Sequence, residues 1–261
     1  MAATWDPAQY RQFADERRQP FDDLLRLVDP CPGGAVVDLG CGTGELTAEL
    51  HRHTGAASTV GIDSSPEMLE RAAAHADPGS GLRFEAGAIE SWEGRDLDVV
   101  YSNAALHWVD DHHALVRRLR AALAPGGQVA FQVPANGDHP SHVIAAALAR
   151  EAPYLDAFGG IPPRGASDSV LPPEDYATLL DGLGASEQHV RMQIYGHHLP
   201  SIDGVVEWVK GSNLTTVRAG LDDALWERYL AEYRRRLGDA LGEDGAYFYT
   251  YKRILVRARF A

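Results

Sequence analysis

The sequence is poor in cysteine and in positive charge, and it holds no long apolar run. Cys31 and Cys41 are the only cysteines in 261 residues, too few for a disulfide scaffold or a Cys-based zinc site. A reducing compartment, the cytoplasm, is therefore expected, with no metal. No stretch approaches the roughly 20 apolar residues of a membrane span. The opening MAATWDPAQYRQFADERRQPF lacks the apolar core and small-residue cleavage pattern of a secretory signal. Lys and Arg number 24 against 37 Asp and Glu, a formal charge of -13. Phosphate-backbone binding needs clustered cations and counterion release, so nucleic acid is excluded as the main partner. The same arithmetic argues, at first reading, against a small anionic substrate. What is present is an ordinary globular composition, 45% hydrophobic and 23% charged, long enough for one large α/β domain or a core domain with a cap.

Short β-branched runs alternate with longer amphipathic stretches over the first two-thirds of the chain, the pattern of βαβ units on a parallel sheet. Strands are expected at 35–40, 59–63, 82–87, 97–104 and 127–134, with a helix at 45–53. Ser64 or Ser65 should cap the next helix, because Pro66 stands at its first turn. Pro125-Gly126-Gly127 is expected to end the helix before the fifth strand. Beyond Pro134 the alternation weakens. Helices are expected at 139–158, 174–183, 201–211 and 221–241, the last with Trp226, Tyr229, Leu230, Tyr233 and Leu237 on one face. A sixth strand is expected at 187–196 and a seventh at 251–260. Residues 5–28, with Tyr10, Phe13 and Phe21, read as one or two helices laid on the core. The resulting division is 1–30 as an N-terminal helical segment, 31–134 as a ligand-binding core and 135–261 as completion of the sheet with helical cap insertions. The pairs His112–His113 and His139/His142 lack metal-site companions and read as surface residues.

The strongest local signal is VVDLGCGTGEL, residues 36–46. A glycine-rich turn between strand and helix lets backbone approach a ligand where a Cβ would clash. Gly40, Gly42 and Gly44 give G-x-G-x-G, one residue short of the dinucleotide fingerprint, and the G-K-[ST] of a phosphate-binding loop is absent. Asp38 precedes the turn, where a carboxylate opposes a pyrophosphate but suits a ligand bearing an ammonium and a sulfonium. The second strand ends in Asp63, 19 residues after Gly44, where an acid can accept both hydroxyls of a ribose.

This arrangement, with LAPGG at 123–127, resembles the class I S-adenosylmethionine-dependent methyltransferases. The resemblance implies a Rossmann-like α/β fold: a seven-stranded, mostly parallel sheet with helices on both faces and α-helical cap insertions. It also implies S-adenosyl-L-methionine as cofactor, held by Asp38, Gly40, Gly42, Gly44, Asp63, Ser64, Ala88, Ile89, Asn103 and Ala104. Ala88 stands where that superfamily commonly places an adenine-binding Asp, so the backbone of Ala88 and Ile89, or Glu90 two residues on, would address the base. His107 and Trp108 follow the fourth strand and would reach toward the acceptor. His107 is open to two readings, a general base for an alcohol or phenol or a positioning group.

A narrower resemblance spans nearly the whole chain. WDPAQYRQFADERRQPF, GIDSSPEML, SNAALHWVDDH, AFQVPANGDHPSH and DGAYFYTYKRILVRARF look, in the same order, like the trans-aconitate 2-methyltransferases. That implies methyl transfer to one carboxylate of a small polycarboxylic acid, the expected anionic substrate. It implies acceptor contacts at Arg17, Tyr195, His197, Trp208 and Arg253, with His107 and Trp108 as positioning residues. Gln19 stands at the family's second N-terminal arginine, with Arg18 one residue off, and Arg164 is a further candidate. Such a carboxylate is ionised at pH 7 and needs no base, so positioning and cations carry the load. Two alternatives stay open at this stage: a small-molecule O- or N-methyltransferase of a natural product, suggested by Gln19, Gly196 and the 135–173 segment, and a non-catalytic protein that binds S-adenosylmethionine.

Overall fold

The computed structural model describes residues 14–77, 79–165, 167–242 and 245–261, with side chains from Arg18 onward. Tyr10 and Phe13 lie outside the described residues. The strands are β1 (Ala35–Leu39), β2 (Ser58–Asp63), β3 (Leu82–Ala86), β4 (Leu97–Asn103), β5 (Leu123–Pro134), β6 (Ala185–Leu199) and β7 (Tyr247–Phe260). They form one sheet in the order β3-β2-β1-β4-β5-β7-β6. β2–β3, β1–β2, β1–β4 and β4–β5 pair in parallel, and β7 runs antiparallel to β5. The expected seven-stranded, mostly parallel sheet is thus observed. Strands β1 and β4 are nearly continuous apolar runs because both of their faces are covered; Val36, Val37, Leu39, Val99, Val100 and Tyr101 are buried.

The helices are α1 (Ala14–Leu25), α2 (Glu45–Thr54), α3 (Pro66–Ala72), α4 (His112–Ala121), α5 (Pro140–Leu148), α6 (Tyr154–Ala157), α7 (Pro173–Gly182), α8 (Ile202–Lys210), α9 (Thr215–Gly220) and α10 (Asp223–Leu241). Ser65 caps α3 through Met68 N–H at 3.3 Å, with Pro66 at the first position. Two expectations change. The helix expected at 139–158 breaks into α5 and α6, with Pro153 standing immediately before α6. Pro125-Gly126-Gly127 does not end a helix but lies inside β5. Leu97 pairs with Leu123 and Val99 with Gln128, so the extra residues bulge out between those two pairs.

By contact the chain divides into two units. The first comprises Arg18–Pro134, Ser169–Gln193 and Arg253–Ala261. In it Phe21 and Leu24 of α1 join Val28, Val36, Leu50, Val99, Tyr101, Ala130 and Leu255 in an apolar cluster on one face of the sheet. The second is described over Ala135–Asp168 and Ile194–Lys252. Its core is built on α10, whose Trp226, Tyr229, Tyr233 and Leu237 are buried, with Leu230 half-buried. Tyr229 and Tyr233 hydroxyls donate to the carbonyls of Ala145 and Ser141 on α5, at 2.8 and 2.9 Å. No helix among the described residues is long and apolar enough to cross a membrane.

The histidines read as surface residues are mostly not at the surface. Only His113 is exposed. His112 is buried in the first unit, and His139 and His142 in the second. Sequence spacing gave no sign of this because His112 and His139 are satisfied by distant partners, Tyr176 and Tyr247, and His142 lies in the fold of the same unit as His139. His139 Nδ1 and His142 Nδ1 both meet the Ser141 hydroxyl, at 2.8 and 3.0 Å, and His139 Nε2 meets the Tyr247 hydroxyl at 3.1 Å. Burial, with a smaller push from His139, lowers His142 to about 4.

The unfolded chain takes up that proton near the ordinary histidine value of about 6.5 while the native state resists it. Stability conferred by neutral His142 is therefore complete above pH 6.5 and is lost as pH falls toward 4, to the extent of about 3 kcal/mol. Denaturant titrations at pH 7 and pH 4 should show this loss, and His142→Gln should remove most of that slope. An unchanged slope in the variant would reject the assignment.

Candidate active site

The carboxyl ends of β1, β2 and β4 meet where the strand order reverses, between β1 and β4, and such a switch point opens a crevice. The turn after β1 enters it. Gly40 and Cys41 both donate main-chain N–H to the Ile62 carbonyl, at 2.8 and 3.0 Å, which folds the turn back over β2. Gly40 has φ +79°, and a Cβ there would lie 2.1 Å from the Ala105 side chain. Gly42 has φ +55° and nothing within 4 Å of an added Cβ. One glycine is thus required by packing, whereas the other borders open space and is required by backbone sign.

Asp63 holds this loop from the end of β2. Its Oδ2 accepts Gly42 N–H and its Oδ1 accepts Ser65 N–H, each at 2.9 Å. Each oxygen retains a lone pair for a further donor, so bidentate acceptance of two hydroxyls remains available. Ser64 is exposed beside it. Gly87 N–H reaches the Asp63 carbonyl at 3.0 Å and brings the end of β3 alongside. Ala88 and Ile89 follow, half-buried. Glu90, the possible stand-in for the missing Asp, is exposed. Arg118 Nη2 donates to the Ile89 carbonyl at 2.7 Å and fixes that segment from α4.

Asp38 is 3% exposed. Its Oδ2 accepts the Thr47 hydroxyl at 2.6 Å, while Oδ1 has no hydrogen-bond partner among the described residues. Burial pushes the carboxyl up to about 7, and Asp63 adds to this. A half-satisfied, desolvated carboxylate is the environment that a bound ammonium or sulfonium relieves. The residues present therefore fit S-adenosyl-L-methionine.

β4 ends in Asn103, beside Gln132 of β5 in the ladder. Gln132 Nε2 donates to Asn103 Oδ1 at 2.7 Å, and Gln132 Oε1 accepts Arg253 Nη1 at 3.0 Å. Arg253 is buried. Ala104 then turns the chain with φ +56°, a conformation that costs a non-glycine residue about 1 kcal/mol. Ala104 N–H is held by the Gln132 carbonyl at 3.0 Å. The turn feeds a 3-10 segment, Leu106–Trp108, in which His107 is 6% and Trp108 36% exposed. Their rings lie 4.7 Å apart. Buried His112 anchors this segment: Nε2 meets the Leu106 carbonyl at 3.1 Å and Nδ1 meets the Tyr176 hydroxyl of α7.

The first unit thus gathers Asp38, the glycine turn, Asp63, Ala88, Ile89, Asn103, Ala104, His107, Trp108 and Arg253. Tyr195, His197 and Trp208 belong to the second. There Tyr195 and Trp208 are buried, and the His197 ring stacks on Trp208 with centroids 4.9 Å apart. Arg164 lies in the same unit, its carbonyl accepting the Thr216 hydroxyl at 3.2 Å. Arg17 lies in α1, and its side chain is outside the described ones. Arg18 is spoken for, clasping both Glu49 oxygens at 2.7 and 2.5 Å and Asp22 at 3.0 Å. Sequence reasoning missed Thr47, Gln132, His112 and Tyr176. Only Gln132 carried a signal, as an amide in a largely apolar strand, and Gln128 of the same strand shares it.

Comparison with known proteins agrees with this geometry. Residues 36–127 match the family model described as a methyltransferase domain. The chain is 43% identical to the trans-aconitate 2-methyltransferase of Deinococcus radiodurans over 97% of its own length and 96% of that protein's. It is 39% identical to the enzyme of that name from Variovorax paradoxus, covering 98% of each. A methyltransferase from Thiobacillus denitrificans, solved with S-adenosyl-L-homocysteine, shares the fold with a TM-score of 0.52 at 22% identity, over 93% of this chain and 91% of that one. The chain is a methyltransferase that takes S-adenosyl-L-methionine as its cofactor, and it belongs to the trans-aconitate 2-methyltransferase family.

Proposed function

We propose that the protein esterifies one carboxylate of trans-aconitate, giving the monomethyl ester and S-adenosyl-L-homocysteine, and that it does so in the cytoplasm. The observation that carries the acceptor assignment is the identity with trans-aconitate 2-methyltransferases over almost the full length of both chains. The buried guanidinium of Arg253, at the same end of the sheet as Asn103, supports it. S-adenosyl-L-methionine, when bound, supplies an electrophilic methyl group on a sulfonium.

The chain's own residues then divide the work. Asp38 and the main chain of Gly40, Gly42 and Gly44 receive the cationic end of the cofactor, and Asp63 with Ser64 receives its ribose. Ala88 and Ile89 flank the adenine. Asn103 and Ala104 border the methionine portion. Arg253 neutralises an acceptor carboxylate, a task that suits a guanidinium because of its fixed fork of donors, while Arg17 enters by resemblance alone. Because the reacting carboxylate is already ionised at pH 7, His107 and Trp108 position it rather than deprotonate it. Tyr195, His197 and Trp208 enter this proposal by resemblance alone.

Incubation with labelled S-adenosyl-L-methionine and a panel of di- and tricarboxylic acids should give a trans-aconitate monomethyl ester, identified by mass. Turnover of an uncharged acceptor with none of trans-aconitate would overturn the assignment. Arg253→Gln should raise KM for trans-aconitate roughly tenfold to a hundredfold, the loss of one charge-assisted contact. Its effect on S-adenosyl-L-homocysteine affinity should stay within about threefold, and a larger loss there would move Arg253 to the cofactor.

Asp38 generates a proton-linkage prediction. Its carboxyl, raised to about 7 by burial, should fall when a cation binds beside it. Cofactor binding near pH 6.5 should then release a proton, and affinity should weaken as pH drops below 7. Calorimetry in buffers of different ionisation enthalpy measures the release, and Asp38→Asn should abolish it. Equal heats in all buffers would count against this role.

A further inference from the structure

The partners of Gln132 fix which way a neighbouring amide faces. Arg253 can only donate hydrogen bonds, so the Gln132 atom that meets it at 3.0 Å must be the carbonyl oxygen. Gln132 therefore turns its NH2 group to Asn103, 2.7 Å away. Asn103 in turn must offer its own oxygen to that NH2. Its Nδ2 is left as the group not committed to Gln132. The three side chains stand on one face of the sheet. Asn103 and Gln132 are paired across β4 and β5, and Arg253 sits opposite Pro134, two residues further along β5. Gln132 is almost fully buried, and its main-chain carbonyl also holds the Ala104 turn.

We infer that Gln132 is a positioning residue that sets the polarity of the site. Through it, Arg253 dictates that Asn103 presents an N–H donor, not an oxygen, to a carboxylate bound at the ends of β4 and β5. The inference rests on the acceptor reading above for the identity of that carboxylate, since the α-carboxylate of the cofactor offers the same chemistry. The device adds a second donor for an anion without a second charge. It also excludes the flipped amide, whose oxygen would repel the anion.

Gln132→Glu tests the polarity directly. A carboxylate at that position can still accept from Arg253, but it has no N–H for Asn103. Asn103 must then turn its Nδ2 toward it and face the ligand with oxygen. KM for trans-aconitate should rise at least tenfold with kcat changed less than threefold. Gln132→Met, which removes the relay without imposing the wrong polarity, should raise KM only about threefold. Asn103→Asp keeps the bond from Gln132 but deletes the outward donor, so it should reproduce the larger loss even if either Gln132 variant folds poorly.

Calorimetry with S-adenosyl-L-homocysteine separates the two carboxylates. A dissociation constant unchanged in Gln132→Glu, beside the higher KM, assigns the donor to the acceptor. A tenfold weaker dissociation constant with KM unchanged assigns it to the cofactor. Equal effects of the Glu and Met substitutions, or none on either ligand, would overturn the inference, because packing alone would then account for Gln132. A wild-type protein inert toward trans-aconitate would sink the acceptor assignment and not this one, which calorimetry would still read.

Discussion

The carboxylate of Asp63 organises the cofactor side of the molecule. By accepting Gly42 N–H on one oxygen and Ser65 N–H on the other, it joins the turn after β1 to the start of α3. Both groups are main-chain donors that a helix start or a tight turn leaves without an internal partner. One side chain therefore satisfies two segments that would otherwise need water, and it fixes their separation. The same carbonyl end of β2 receives Gly40, Cys41 and, through the Asp63 main chain, Gly87. The ends of β1, β2 and β3 are thus locked together before any ligand arrives, and little ordering is left to occur on binding.

Net charge proves a poor guide to the site. The surplus of acid over base, -13 in all, still speaks against a polyanionic partner such as nucleic acid. It says little about a small anion, because surface charges beyond about 8 Å are screened at physiological salt. Part of the acidic excess, Asp38 and Asp63, is assigned to the cationic cofactor in the function proposed above. Arg253, proposed above to meet the acceptor, is buried away from that surface field. Arg257 is buried and ion-paired with Asp29 and with Glu187 at 2.8 Å, and Arg259 adds to the hold on Asp29 at 2.7 Å. Four residues earlier, on the same face, Arg253 donates to the amide oxygen of Gln132, which fixes its direction.

The cofactor half of the site was legible because its determinants are local. A glycine turn, an acid before it and an acid ending the next strand each declare themselves within a few residues, and periodicity supplied the strands that carry them. Boundaries slipped where backbone irregularity intervened, as at the bulge that places Pro125-Gly126-Gly127 inside β5. The acceptor half depends on partners far apart in the chain. Gln132 and Arg253 are 121 residues apart, and His112 and Tyr176 are 64 apart. No short-range pattern encodes such pairs, so His112 reads as a surface residue until α7 is seen against it. The pairs His139–Tyr247 and Tyr233–Ser141 were hidden for the same reason.

The strained turn at Ala104 joins these two halves. A left-handed alanine costs about 1 kcal/mol and persists only where its surroundings over-determine it. Here Gln132 does so twice, its carbonyl taking Ala104 N–H and its side chain taking Asn103. His112 takes the Leu106 carbonyl and fixes the chain at a second point two residues on. The chain is therefore anchored at Ala104 and at Leu106, immediately before His107 and Trp108. That arrangement suits a reaction in which nothing need be deprotonated and in which catalytic advantage comes from alignment of the acceptor with the methyl group.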